Sequence, residues 1–137
     1  MPRSARTVPC NSGEARTRLR TAQAYLDVAA SVLEELGRDE YLNVAVGLAI
    51  LAGIAASDAI CGIRLGRLYR GDDHHGAEDL LLTATPDGQK LAATLRRLLG
   101  LKDAAHYGVL VVAPRRACDA RRWAALLVEH AAEEAER

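Results

Sequence analysis

Apolar residues recur every three or four positions along most of this chain, which is the spacing of amphipathic helices. One such pattern covers residues 14–36 and predicts a long first helix. The next, over about residues 39–69, is apolar on every side, because the 17 residues between Glu40 and Asp58 carry no charge. A helix without a polar face is typical of the centre of a bundle, so the second helix is predicted to be the core.

Three further helices follow from capping residues and periodicity. A turn at residues 70–73 ends on an acidic N-cap and begins a short third helix. Pro86 is tolerated in a first helical turn, and the fourth helix is predicted from there to about Val109. After an extended link, Pro114 begins the fifth. The prediction is an all-α, antiparallel up-and-down bundle of four long helices and one short helix, formed by residues 14–137 as a single domain.

The first 13 residues hold arginines, prolines and glycine but no apolar run, so they predict a disordered leader and not a signal peptide. The uncharged stretch of the second helix is at the lower limit of length for crossing a bilayer, and small residues make it weakly hydrophobic. A soluble bundle without a membrane span is therefore expected.

Composition narrows the chemistry further. Eighteen basic and eighteen acidic residues cancel, so the chain lacks the positive field of a protein that holds duplex DNA through its phosphates. Its three cysteines form no C-x-x-C pair, which indicates a reducing, cytoplasmic setting and neither disulfides nor zinc. The run at residues 72–75, Asp-Asp-His-His, has metal-ligand types, but consecutive helical positions diverge by about 100°. No metal or cofactor is expected.

Two polar residues interrupt the apolar face of the predicted fourth helix. Lys102 and His106 are four residues apart and fall inside its apolar arc. A lysine turned toward a core needs an anion, and Asp58 is the ionisable residue within the apolar part of the second helix, so Asp58 is predicted to face Lys102 or His106. Three interpretations stay open: a lysine reaching the bundle edge beside a core histidine, a subunit interface, or an active site with His106 as general acid or base.

Three segments, LLGLKDAAHYG with ASDAICG and DDHHGAEDLL, resemble the HEPN superfamily of small prokaryotic helical domains over roughly residues 14–133. The resemblance implies a helical bundle that dimerises, belongs to toxin–antitoxin or defence systems, and often cleaves RNA without a metal. Active members carry an Arg separated by four to six residues from a His. His106 matches the histidine, whereas the arginine positions hold Leu and Gly, and Lys102 stands one step closer.

The functional expectation is a HEPN-like interaction or nucleic-acid-associated protein that forms a homodimer. Its expected further partners are a toxin–antitoxin partner protein, RNA or a nucleotide. The alternatives are a metal-independent endoribonuclease that uses His106 and Lys102, supported by Asp58, and a non-catalytic dimer that binds a nucleotide. A separate candidate is a basic stripe at the end of the second helix, where Arg64, Arg67 and Arg70 recur at three-residue spacing and could contact a phosphate backbone.

Overall fold

The computed structural model describes residues 6–35 and 38–137, except for the side chain of His74. Over these residues the chain forms six helices and two short strands. In chain order they are β1 (Thr7–Pro9), α1 (Ser12–Glu35), α2 (Asp39–Leu65), β2 (Arg67–Tyr69), α3 (His74–Ala84), α4 (Gly88–Leu99), α5 (Lys102–Tyr107) and α6 (Pro114–Ala135). The predicted all-α helical bundle is confirmed.

Helix α2 is the centre of the bundle, and its sequence explains why. It packs most extensively against α1 and α6, with α3, α4 and α5 completing its surroundings. Small residues along α2 bring these neighbours close: a Cβ added at Gly53 would overlap the Leu98 side chain of α4. Helix α2 has the length and apolarity to cross a membrane, but 78% of its most apolar window is buried inside the bundle. That burial is what the core helix of a soluble protein shows.

The end of α2 differs from the prediction. The helix stops at Leu65 because Gly66 adopts the left-handed conformation, with φ of 69°, and its N–H donates to the carbonyl of Gly62. Residues 67–69 then leave the helix as β2, which pairs antiparallel with β1. Glycine adopts this backbone geometry without the penalty that a Cβ brings, which is why the helix ends there.

The predicted disordered leader is wrong for residues 6–13, and residues 1–5 lie outside the described part of the chain. Thr7 pairs with Tyr69 and Pro9 with Arg67 in the two-stranded sheet. Cys10 is buried against Gly62 of α2, and α1 already begins at Ser12. Two contacts order this segment: the buried Cys10, and β2 as a strand partner that is distant in the sequence. Neither contact is visible in the local composition of the segment.

The predicted fourth helix is also interrupted. Helix α4 ends at Leu99, and a turn at Gly100 and Leu101 separates it from the six-residue α5. The N–H of Leu101 donates to the carbonyl of Leu98, a tighter spacing than the α-helical one. Glycine is a weak helix former, which is consistent with an interruption of the helix at this position.

Candidate functional site

Asp58 lies in an ion-pair cluster that we call the Asp58 cluster, formed with Arg18 and Arg70. Its carboxylate accepts a hydrogen bond from Arg18 Nε at 3.2 Å, and Arg18 Nη2 lies 3.0 Å from the same oxygen. Arg70 Nη1 approaches it at 3.6 Å. The side chain of Asp58 is 8% exposed, so it is buried as its apolar surroundings suggested, but with partners other than those predicted.

The prediction that Asp58 faces Lys102 or His106 is wrong for a geometric reason. Helix α5 lies against the first half of α2, where the His106 ring approaches Gly47. Gly47 and Asp58 are 11 residues apart in one helix, which corresponds to about 16 Å along its axis. Asp58 therefore belongs to the opposite part of α2, next to α1 and β2, and gives no support to chemistry at His106.

Burial governs the acid–base behaviour of the Asp58 cluster. It raises the pKa of Asp58, while the charges and hydrogen bonds of Arg18 and Arg70 act in the lowering direction. Burial and the nearby Asp58 charge raise the pKa of Cys61 to about 12, and burial also raises the pKa of Cys10. Both thiols stay protonated at neutral pH, so they are poor nucleophiles.

The three arginines of the predicted basic stripe do not share one helix face, and each contacts another part of the protein. Arg64 is in the last turn of α2 and donates from Nε to the carbonyl of Ala84 at 3.2 Å. Arg67, in β2, donates to Thr7 in β1. Arg70 joins the Asp58 cluster, and since α2 ends at Leu65 only the first of the three is helical. These guanidinium groups stabilise the fold at the positions where a phosphate contact was expected.

Glu134 of α6 is a buried charged residue that the sequence did not identify. Its side chain is 1% exposed, although it lies in a segment with several other acidic residues. Its carboxylate lies 3.3 Å from Arg64 Nε, 3.3 Å from His130 Nε2 and 3.7 Å from Arg137 Nη2. The i, i+4 spacing of His130 and Glu134 was a visible signal, whereas the contact with Arg64 joins two distant helices.

Lys102 and His106 both lie on α5, one turn apart, but neither points into the core. Lys102 is half-buried and His106 is exposed. The imidazole rests with one edge against α2, since a Cβ added at Gly47 would come within 3.1 Å of His106 Cε1. The break after α4 moves both residues from the predicted inward face to the bundle edge, where the His106 ring is open to a ligand or a partner.

The residues after His106 form an apolar surface that the sequence analysis missed. Val109 is 98% exposed, Leu110 79% and Val111 50%, and the ring of Tyr107 is 77% exposed. We call residues 107–111 the apolar segment. Apolar residues are normally assigned to the core, so their exposure was not predictable from residue type alone.

Asn43 of α2 attaches this segment to the bundle. Its Nδ2 donates to the carbonyls of Ala104 and Leu110, both at 3.3 Å. Its Oδ1 accepts from the N–H of Val112 at 2.8 Å, and the Val112 side chain is buried. The apolar segment is thus held in one position on both sides of its exposed residues.

No group of three or more His, Cys, Asp or Glu side chains in the described part of the chain is placed to hold a metal ion. Asp73 instead caps α3 by accepting from the N–H of His75 at 2.9 Å.

No protein-family model and no curated protein matches the sequence. Function is therefore inferred from the site itself.

Proposed function

We propose that this chain is a HEPN-like interaction protein, associated with RNA in a prokaryotic toxin–antitoxin or defence system, which forms a homodimer through α5 and the apolar segment. The exposure of Val109, Leu110 and Val111 is the observation that carries the proposal. A contiguous run of large apolar side chains facing solvent marks an interaction surface more often than a chance arrangement.

The attachment of the apolar segment supports this proposal over simple local disorder. The Asn43 side chain donates two hydrogen bonds and accepts one, which fix residues 104–112 on α2 while the side chains of Val109 and Leu110 remain outside. A surface that is positioned before binding loses less conformational entropy when a partner covers it. The proposed location is the cytoplasm, which is consistent with the free thiols of Cys10, Cys61 and Cys118.

The test is the oligomeric state of Leu110→Asp, measured by light scattering during gel filtration over a range of concentrations. A carboxylate at this position would be desolvated in a dimer, so we expect the dimerisation constant to weaken by about a hundredfold. Leu82→Asp is the matched control, because Leu82 lies on α3 and is 47% exposed. A wild-type monomer at all concentrations, or equal effects of both substitutions, would contradict the proposal.

A second candidate, a metal-independent endoribonuclease, is favoured by the accessibility of His106 beside Lys102. The imidazole would accept the proton of a ribose 2′-hydroxyl while that oxygen bonds to phosphorus and the bond to the 5′-oxygen breaks. Water would return a proton to the leaving oxygen, and the ammonium of Lys102 would offset charge on the phosphoryl oxygens. The products would be a 2′,3′-cyclic phosphate and a 5′-hydroxyl.

This candidate is tested with mixed single-stranded RNA in the presence of EDTA, comparing wild type with His106→Ala. Loss of at least a hundredfold in cleavage rate, with unchanged helical content, would support catalysis by His106. Cleavage that persists unchanged in the variant would be a contaminant. Absence of cleavage by the wild type would leave the interaction function alone.

A further inference from the structure

An open pocket of about 470 Å³ lies between α3, the end of α4 and the start of α5, and it shares no lining residue with the Asp58 cluster or the apolar segment. Side chains from all three helices line it, among them His75, Glu78, Arg96, Leu99 and Asp103. Its volume is in the range of sites that hold small organic ligands. His75, Glu78, Leu99 and Asp103 lie within segments that carry the family resemblance, but the resemblance assigns none of them a role.

Glu78 is a buried lining residue that orients two other side chains of the pocket. Its side chain is 6% exposed, and its Oε1 accepts a hydrogen bond from Arg96 Nε at 2.8 Å. Its Oε2 lies 3.3 Å from Nδ1 of His75. A buried carboxylate carries a desolvation cost and is weak evidence for added stability, whereas it does restrict the orientation of the groups it binds. Glu78 therefore positions one guanidinium and one imidazole at the same opening.

Both positioned groups keep binding capacity beyond Glu78. The side chain of Arg96 is 69% exposed, and the bond to Glu78 occupies one of its five N–H donors. The imidazole of His75 is 66% exposed, with Nε2 on the side of the ring away from the contact. The pocket thus offers a planar donor group together with a ring that can donate or accept.

The acidic residues of the pocket decide which ligand fits. Asp72 and Asp103 are exposed acceptors at its rim, and with Asp73 and Glu78 the carboxylates outnumber the cations of Arg96 and Lys102. This excess disfavours a phosphate group inside. A neutral planar ligand with acceptors on one edge and donors on another matches the lining, and the half-buried Leu99 offers it an apolar surface.

We propose that this pocket binds a guanine base of single-stranded RNA or of a guanine nucleoside. Guanine presents two adjacent acceptors, O6 and N7, which arginine contacts in a bidentate manner, and Arg96 is that arginine. Its N1–H and 2-amino donors lie on another edge and suit a carboxylate, the role of Asp103. The sugar and phosphate remain in solvent. This inference rests on the association with RNA in the proposed function and names the base that is recognised.

The experiment is calorimetric titration of the full chain with guanosine, inosine, 7-deazaguanosine and inorganic phosphate. Guanosine is expected to bind, inosine and 7-deazaguanosine about tenfold or more weaker, and phosphate not at all. Tighter binding of phosphate than of guanosine would overturn the proposal. Equal affinities for guanosine and 7-deazaguanosine would remove the role of Arg96.

Three variants test whether guanosine binding depends on the pocket itself, and not on the stability of the fold or on the proposed interface. Arg96→Lys keeps the charge but not the planar fork, so it is expected to lose guanosine binding by about tenfold with unchanged helical content. Arg97→Ala, the exposed neighbour on α4, is the control and should bind as wild type does. Leu110→Asp should keep guanosine binding if only the interface is affected. If dimerisation holds while guanosine fails to bind, the pocket proposal falls and the interface proposal stands.

Discussion

The Asp58 cluster and the apolar segment both contain residues whose environment is the opposite of what their residue type suggests. In the first, a carboxylate lies inside the bundle at 8% exposure. In the second, valine and leucine side chains face solvent at up to 98% exposure. The buried carboxylate has two arginines that account for its position within the monomer, whereas the exposed apolar residues have no such explanation within the described chain. The buried carboxylate is therefore accounted for by the fold, whereas the exposed apolar residues are the basis of the proposed dimer interface.

Replacing Asn43 should give the largest change in stability, because it attaches the exposed region to the bundle. Asn43→Ala removes three hydrogen bonds at once, and we expect a loss of about 2 kcal/mol in the free energy of unfolding. Denaturant unfolding and amide exchange at Val112 measure it. Val44→Ala, at the half-exposed neighbouring position, serves as control and should change stability little. Unaltered exchange at Val112 would show that Asn43 does not hold the segment.

Asp58→Ala should have the next largest effect, a loss of about 1–2 kcal/mol in the free energy of unfolding. This is less than for a fully buried pair, because the side chains of Arg18 and Arg70 are 29% and 54% exposed and can be hydrated when their partner is gone. Urea unfolding measures the change, with Asp27→Ala on the exposed face of α1 for comparison. A reduced dimerisation constant for Asp58→Ala would contradict the separation of the two regions.

The pH dependence of the stability of Asp58→Asn, compared with wild type, tests whether burial or the two arginines dominate at Asp58. Because the native pKa of Asp58 is raised above 3.8, the folded wild type binds a proton more readily than the unfolded chain as the pH falls toward that value. Wild type should therefore gain stability relative to Asp58→Asn as the pH falls from neutral toward about 4. Unfolding midpoints across this pH range measure the difference, and an opposite slope would mean that the arginines outweigh burial.

Val109→Ser should have the smallest effect on stability, within about 0.5 kcal/mol, since the side chain is fully in solvent in the monomer. The same substitution should weaken dimerisation, because it removes apolar surface from the proposed interface. Thermal unfolding at low concentration and light scattering at high concentration distinguish the two effects. Val28→Ser, on α1 at 50% exposure, should leave both quantities unchanged.

Periodicity predicted the helical bundle because each long helix buries a continuous stripe, which local sequence records. It also predicted that α2 forms the core and that Asp58 is buried within it. The partners of Asp58 were not predictable, since Arg18 and Arg70 reach it from other elements, 40 and 12 residues away in sequence. Identifying such contacts requires the packing of the bundle and not the pattern of a single helix.

The candidate site was less predictable than the fold for a different reason. A helical wheel assumes an unbroken helix, and the turn at Gly100 and Leu101 invalidates it for every residue beyond. Lys102 and His106 were therefore assigned inward when they lie at the edge. Residue type misled equally at Val109 and Leu110, because valine and leucine are usually core residues and nothing in the local sequence marks these two as exposed.

The pairing of β1 with β2 has a consequence for how the chain reaches its native state. Thr7 and Arg67, which share hydrogen bonds, are 60 residues apart, so β1 leaves the ribosome before β2 and cannot pair with it until α1 and α2 have been synthesised. Closing so long a loop is slow relative to local helix formation. Residues 7–10 should therefore be among the last parts to become protected, and Cys10, buried in the folded protein, is expected to react with thiol reagents during synthesis and early refolding.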